Sequence, residues 1–133
     1  TVTAVDSFLT EDNSEELLKG HDLVLDAVDS LAARRLIGRQ CAKLGIPFVY
    51  GAIQGWYAQI SLIMPGSSML DLLCGHGTEP VEKSALSFTP AACAAFQASE
   101  AVKYLCGRED VLNGRILYVD LLHMETEILC VEL

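Results

Sequence analysis

Two acidic residues, Asp26 and Asp29, follow a short apolar run and come just before a segment with helical spacing. A carboxylate at the end of a strand can hold Mg²⁺ or a ribose hydroxyl, because magnesium prefers hard oxygen ligands and phosphates accompany it. Asp29 or Ser30 could equally serve only as the N-cap of the helix that follows. The corner is therefore a candidate ligand site with a purely structural alternative.

Basic and thiol groups supply further candidates. Arg34 and Arg35 lie one turn into the helix, where they could reach a phosphate or remain solvated surface groups. Cys74 and His76 could act as a nucleophile with its base, or as half of a metal site. No other Cys or His lies close to this pair in the sequence, which favours an incidental thiol. The chain contains no Walker loop, dinucleotide-binding glycine motif, zinc-protease motif or nucleophile elbow.

The elements that must position these groups form a strand–helix–strand unit over 22–54. Leu23 to Leu25 predict a buried strand, and apolar residues at helical spacing predict a helix from about Ser30 to Leu44. A glycine and a proline end the helix, and 47–53 is again apolar and rich in strand-forming residues. Such a unit closes as a crossover between parallel strands, and ligands bind beyond the carboxyl ends of such strands. The acidic corner lies at such an end.

The flanking segments predict further strands and a short helix. Residues 2–5 have strand character, and Asn13 is a plausible N-cap for a helix over about 14–19. The segment 58–64 alternates in polarity and follows a short turn, so it is expected to pair antiparallel with 47–53.

The second half of the chain begins with a long predicted loop over 66–88, rich in Gly, Ser and charged residues. Thr89 is expected to cap a helix of small residues that ends near Cys106. The segments 115–121 and 125–133 predict a terminal antiparallel hairpin. Together these elements give a single mixed α/β domain.

The composition excludes several classes of function. The net charge of −9 argues against binding to nucleic acid or to an anionic membrane, since both require clustered Lys and Arg. Residues 44–70 carry no charge, but their glycines and prolines argue against a membrane-spanning helix. The start of the chain has no signal-peptide pattern, and the five cysteines form no Cys-x-x-Cys motif, so a reducing, cytoplasmic location is expected. A hydrophobic content of 51% indicates either a sheet covered on both faces or a surface that is normally hidden against a partner.

Three stretches together carry a resemblance to a known family: DLVLDAVDSLAARRLI, CAKLGIPFVYGAIQGWYAQISLI, and QASEAVKYLCG followed by GRILYVDLLHMETEI. They resemble the second half of the adenylation domain of the ThiF/MoeB/HesA family, relatives of ubiquitin-activating enzymes, over about residues 2–130. The resemblance implies a Rossmann-like mixed sheet, with a parallel strand–helix–strand core plus antiparallel hairpins. It also implies that residues 1–133 are the C-terminal part of such a domain, with the N-terminal ATP-loop part absent and a crossover loop at about 66–88.

The resemblance further implies ATP- and Mg²⁺-dependent adenylation of the C-terminal carboxylate of a ubiquitin-like or sulfur-carrier protein, as in thiamine or molybdopterin biosynthesis. By position, Asp29 would bind Mg²⁺ and ATP, Ser30 would take the place of the neighbouring Asn, and Arg34 would match the helix Arg. Asp29 and Arg34 are thus the expected catalytic residues, and Phe8 and Leu9 would lie against the adenine. A cytoplasmic homodimer is expected, and zinc is not, because paired Cys-x-x-Cys motifs are missing.

Departures from the family pattern keep rival functions open. Ser30 replaces the usual Asn, and Ala58 replaces the usual Gly before Gln59. The family's glycine-rich loop and phosphate-binding Lys are absent here, so residues 1–133 alone are expected to be inactive. The main alternative is a non-catalytic module for dimerisation or carrier docking. Another is activation of a different carboxylate, at a peptide C-terminus or a modified tRNA base, although the acidic surface disfavours tRNA. A dinucleotide-dependent oxidoreductase is disfavoured because its first glycine turn is absent.

Overall fold

The computed structural model of the chain describes residues 1–75 and 84–131. The described residues form four helices and five strands in one domain. In chain order the elements are α1 (Glu11–Leu18), β1 (Val24–Leu25), α2 (Leu31–Leu44), β2 (Phe48–Gln54), β3 (Tyr57–Ile63), α3 (Met69–Cys74), α4 (Phe88–Leu105), β4 (Arg115–Asp120) and β5 (Glu125–Cys130).

The strands form one sheet in the order β1-β2-β3-β4-β5. β1 pairs parallel with β2, with Val24 opposite Phe48, and every other pairing is antiparallel. The predicted parallel strand–helix–strand unit, the antiparallel partner of β2 and the terminal hairpin are therefore confirmed. The fold is mixed α/β, as the sequence predicted.

Alternation along β2 separates the core into two halves. Phe48 and Tyr50 face a cluster that includes residues of α2 and α3, whereas Val49 faces a cluster that includes Cys93 of α4. Because successive side chains of a strand point to opposite faces, one strand serves both halves of the core. Both faces of β2 are thus covered, as predicted for the sheet, whereas every residue of β5 is exposed.

The bounds of α2 follow from local signals. Gly45 ends the helix in the left-handed conformation (φ 71°), which glycine adopts without a Cβ clash. The backbone N–H of Ile46 then donates to the Cys41 carbonyl (2.9 Å), so one of the last carbonyls of the helix is satisfied.

Two predictions for the N-terminal segment were wrong. Residues 2–5 form no strand, and the Val2 side chain is 95% exposed. The helix α1 begins at Glu11 with Thr10 as its N-cap, because the Asn13 side chain reaches back to accept a hydrogen bond from the Thr10 backbone N–H (2.8 Å). Asn13 therefore belongs to a capping box as its third helical residue, and it is not the cap.

The predicted loop over 66–88 is in part helical. Its first part contains α3, which begins at Met69, and the Met69 N–H donates to the Ser67 hydroxyl (3.1 Å). Residues 76–83 lie outside the described residues. Thr89 does not cap α4 as predicted, since Ser87 is the N-cap and the helix begins at Phe88, two residues earlier than expected. The Thr89 hydroxyl instead donates to the Gly55 carbonyl (2.7 Å), a tertiary contact that local sequence does not encode.

Candidate functional site

The chain turns sharply between the end of β1 and the start of α2, over residues 26–30, which we call the acidic corner. The Asp26 backbone N–H donates to the Val49 carbonyl (2.9 Å) and so extends the parallel pairing of β1 with β2 by one bond. The acidic corner therefore lies at the carboxyl end of a parallel strand. This is the edge of an open α/β sheet at which ligands bind.

Ser30 is the N-cap of α2. Its backbone is extended (φ −117°, ψ 140°), and its hydroxyl accepts a hydrogen bond from the Ala33 N–H (3.1 Å). The first turn of α2 carries no acidic residue of its own, and Asp29 directly precedes the cap. A phosphate placed before this helix would be stabilised. The capping interpretation of Ser30 is confirmed, and a nucleotide contact by the same residue stays a prediction.

The two aspartates of the corner have different surroundings. Asp29 is exposed, whereas Asp26 is 3% exposed. The Asp26 carboxylate accepts from the Val28 N–H (3.2 Å), from the Gly51 N–H (3.4 Å) and from Nε of Arg34. Asp26 is therefore engaged inside the fold. Asp29 is the carboxylate of the corner that a metal ion could approach, and its assignment to Mg²⁺ stays a prediction.

Arg34 turns inward beneath the corner. Besides the ion pair of its Nε with Asp26, its Nη2 donates to the carbonyls of Val28 (3.1 Å) and Gly51 (3.0 Å). The guanidinium also lies over the Tyr50 ring, 5.3 Å from the ring centroid. Arg34 thus joins the corner to β2, and the nitrogens Nε and Nη2 are committed to that task.

Burial dominates the electrostatics of this cluster. It raises the pKa of the Asp26 carboxyl, and the attraction and hydrogen bonds of Arg34 offset only part of that rise. Desolvation acts to lower the pKa of Arg34, but the Asp26 carboxylate outweighs it and the pKa of Arg34 is raised. Burial raises the pKa of Tyr50 to about 12. At neutral pH the cluster therefore holds a charged guanidinium above a neutral phenol.

A residue distant in sequence completes the corner, and no motif singled it out. Gln97 of α4 is 6% exposed, and its Nε2 donates to the carbonyls of Asp26 (2.8 Å) and Val49 (3.2 Å). The available signal was its position on the buried stripe of α4, four residues after Cys93. A polar side chain on such a stripe requires a buried partner.

Arg35 contacts a different part of the fold from Arg34. Its Nη2 donates to the carbonyl of Cys74 (2.8 Å) and to that of Gly75, so it fastens the end of α3 to α2. Cys74 is buried, and burial raises the pKa of its thiol, which disfavours the thiolate that a nucleophile requires. His76 lies outside the described residues. The prediction of an incidental thiol is thus supported by the surroundings of Cys74.

Phe8 and Leu9, which the family resemblance places against an adenine, come just before α1. The Phe8 side chain is 88% exposed, whereas Leu9 packs against the core cluster that includes α2. The Asn13 side-chain amide donates to the Phe8 carbonyl (2.9 Å) and so fixes the backbone there. Contact of either residue with an adenine stays a prediction.

Metal binding at the corner would need ligands from outside the protein. Within residues 1–75 and 84–131, no group of three or more His, Cys, Asp or Glu side chains could hold a metal ion. Mg²⁺ commonly takes one or two carboxylates and completes its shell with phosphate oxygens and water. One exposed carboxylate before a helix N-terminus fits that pattern. None of the described helices combines the length and apolar character that crossing a bilayer requires.

Comparison with known proteins relates the chain to the ThiF family. The profile of the ThiF family matches residues 1–133. The SAMP-activating enzyme E1 of Haloferax volcanii is 30% identical over 133 residues, which cover 96% of this chain and 49% of that protein. The sulfur carrier protein ThiS adenylyltransferase of Bacillus subtilis is 32% identical over 113 residues, covering 81% of this chain and 34% of that protein. The chain thus spans at most about half the length of these relatives.

Solved structures show the same fold. MccB of E. coli with AMPCPP and MccA superposes with a TM-score of 0.71, over 93% of this chain and 40% of that chain. The sequence identity is 10%, so this likeness concerns the fold alone. It agrees with the mixed five-stranded sheet found here.

Proposed function

Because the chain belongs to the ThiF family, we propose that it is part of an ATP-dependent adenylyltransferase that activates the C-terminal carboxylate of a ubiquitin-like or sulfur-carrier protein. Its relatives include a SAMP-activating enzyme and an adenylyltransferase of the sulfur carrier protein ThiS. The observation that carries the proposal is the acidic corner. There an exposed aspartate stands before the N-terminus of α2, at the carboxyl end of a parallel strand.

Each residue of the corner has a proposed role. Asp29 holds the Mg²⁺ of Mg²⁺-ATP, and the start of α2 at Ser30 faces the phosphates. Arg34 contributes by holding the corner through Asp26, which its inward hydrogen bonds support. Phe8 and Leu9 border the adenine.

A carboxylate oxygen of the carrier would bond to the α-phosphorus of ATP as the bond to pyrophosphate breaks, and Mg²⁺ would offset the charge of the phosphates. The residues of this chain orient that reaction from one side, because they fix where the Asp29 carboxylate and the α2 N-terminus lie. The chain spans 49% and 34% of the two relatives, so the complete activity is proposed for the full-length protein. We propose that residues 1–133 alone are inactive, and that the active protein is a cytoplasmic homodimer.

The test is carrier-dependent ATP–pyrophosphate exchange by the full-length protein, with carriers that end in glycine and the same carriers without that glycine. Wild-type protein should exchange only with the intact carriers. Asp29→Ala should lower the exchange rate at least about 100-fold, the scale expected when a group that stabilises developing charge is lost. Asp22→Ala is the matched control, since Asp22 is an exposed aspartate just before the other end of β1.

The outcomes separate the candidate functions. Exchange retained by Asp29→Ala would remove Asp29 from the site while leaving the activity in place. Wild-type protein that exchanges with no carrier, and yet binds one, would overturn the catalytic proposal. The non-catalytic docking module would then be the better description.

A further inference from the structure

The backbone carbonyl of Asp26 receives its hydrogen-bond donor from a distant element of the fold. The strand ends at Leu25, so the regular ladder does not provide this carbonyl with a donor. Gln97 provides one, with its Nε2 2.8 Å from the Asp26 carbonyl oxygen. A buried carbonyl left without a donor loses its hydrogen bonds to water and gains none in return, so this contact has a clear physical reason.

The same amide group of Gln97 also ties the corner to the neighbouring strand. The Val49 carbonyl accepts from Gln97 Nε2 (3.2 Å) and from the Asp26 N–H (2.9 Å), so three groups meet at one point. Gln97 therefore spans the last bond of the parallel pairing between β1 and β2. A shift of the corner relative to β2 would break both of its hydrogen bonds.

Gly51 makes room for this contact. A Cβ placed on Gly51 would lie 2.4 Å from Cδ of Gln97, which is closer than real Cβ atoms approach. The absence of a side chain at this position lets the amide of Gln97 reach the strand backbone. On the opposite face of the sheet, Arg34 holds the Asp26 carboxylate and the Gly51 carbonyl. The corner is thus clamped from both faces of the sheet.

We infer that Gln97 is a positioning residue for the proposed adenylation reaction: it fixes the backbone of the acidic corner and so sets where the Asp29 carboxylate meets Mg²⁺-ATP. The inference rests on the proposed function. It assigns to α4, the helix that follows the segment 66–88, a direct part in shaping the nucleotide end of the site. Asp29 lies three residues beyond the carbonyl that Gln97 holds.

The test compares Gln97→Met with Thr89→Val in the full-length protein. Gln97→Met keeps the length of the side chain and removes both hydrogen bonds. Thr89→Val removes one buried hydrogen bond from the same helix to the backbone carbonyl of Gly55, which follows β2 and lies away from the corner. A role for Gln97 in docking α4 alone would make the two variants alike. Gln97→Leu, which also lacks the donor, serves in place of Gln97→Met if the latter does not fold.

Two readouts keep the test independent of folding stability. Amide hydrogen exchange over 26–30 should become about tenfold faster in Gln97→Met and remain unchanged in Thr89→Val, as expected for the loss of a buried hydrogen bond. The pyrophosphate exchange rate at saturating substrates should fall about 10- to 100-fold in Gln97→Met, with the carrier KM within about twofold of wild type. Thr89→Val should retain the wild-type rate.

Unchanged amide exchange over 26–30 in the Gln97 variant would overturn the inference whatever the activity shows. Faster amide exchange with a wild-type pyrophosphate exchange rate would also overturn it, because the corner would then not need the position that Gln97 gives it. If wild-type protein shows no pyrophosphate exchange, the proposed function fails and the inference fails with it. Amide hydrogen exchange over 26–30 then shows separately whether Gln97 holds the corner.

Discussion

Replacing Arg34 by methionine should leave a buried carboxylate without its cation. In the fold, the Asp26 side chain is fully buried and pairs with Arg34, whose side chain is 12% exposed. The substitution Arg34→Met keeps much of the apolar stem but removes the guanidinium. It also removes the donors to the carbonyls of Val28 and Gly51. The Asp26 carboxylate and the carbonyls of Val28 and Gly51 therefore each lose a donor in one substitution.

The size of the effect follows from the surroundings. Breaking a buried ion pair by removing one partner costs about 3–5 kcal/mol. The lower end applies here, because Arg34 retains some exposure and the Asp26 carboxylate keeps two backbone N–H donors. We expect a loss of about 3 kcal/mol in the free energy of unfolding at pH 8. This would be a large part of the total stability of a typical domain.

The loss should depend on pH. Burial already raises the pKa of Asp26, and Arg34 lowers it in part, so removing Arg34 raises that pKa further. A carboxyl whose folded pKa is raised contributes stability that is fully present below its unfolded pKa, about 3.9, and is lost as pH rises through the folded pKa. The deficit of Arg34→Met relative to wild type should therefore be smallest near pH 4 and should grow with pH. Each unit by which the variant's pKa exceeds the wild-type value adds about 1.4 kcal/mol.

Urea unfolding of the full-length protein between pH 4 and pH 8 measures this effect. The double variant Asp26→Asn, Arg34→Met removes both charges, so its deficit relative to wild type should no longer grow with pH, and part of the stability at pH 8 should be recovered. The reasoning would be refuted by an equal deficit at pH 4.5 and pH 8, or by a double variant that is less stable at pH 8 than Arg34→Met alone. Either result would mean that the carboxylate at position 26 is not the group left unbalanced.

Three further results are expected from single features of the fold. Ser30→Ala should lower the free energy of unfolding by about 1 kcal/mol in urea, whereas Ser30→Asp should not, because only the alanine variant loses the cap. Glu100→Ala should lower the free energy of unfolding by about 1–3 kcal/mol in the same assay, because the buried Leu112 N–H loses its acceptor (2.7 Å). Asp110→Ala removes one member of an exposed ion pair and should change nothing measurable. Iodoacetamide at pH 7.5, followed by mass spectrometry, should label the exposed thiols of Cys106 and Cys130 first. Burial raises the pKa of the buried Cys41 and Cys93 thiols to about 11, so early labelling of either would contradict the packing.

The sequence predicted the unit β1–α2–β2 because each of its boundaries carries a local signal. Ser30 begins the helix through a side-chain cap, and Gly45 ends it through a positive φ. The apolar run before the corner is too short for a helix, and it pairs as a strand with β2. Signals of this kind act over three to five residues, so a sequence contains them in full.

Predictions failed where a tertiary contact decided the structure. Residues 2–5 have strand-forming types, but a strand requires a partner, and these residues pair with no strand of the described fold. Thr89 has the side chain of an N-cap, but its hydroxyl is used by the Gly55 carbonyl. The helix α3 is only six residues long and packs Leu70 against Gly38, so it gave no periodic pattern of its own.

The candidate site was predicted in part for the same reason. Asp29 and Ser30 could be placed at the end of β1 from the local pattern alone. The inward turn of Arg34 could not, because its acceptors on β2 become close only when the sheet forms. Gln97 reaches Asp26 across 71 positions of the sequence, so spacing gave no indication of the contact.

The fit between Gly51 and Gln97 has a consequence for how such chains diverge. A side chain at position 51 would collide with Gln97, and Gln97 cannot withdraw without taking the donor from the Asp26 carbonyl. A change at either position alone is costly. We expect position 97 to change to a shorter side chain before any side chain appears at position 51. The residues at the two positions should therefore covary. Among distant chains of this fold, they should be kept together or lost together.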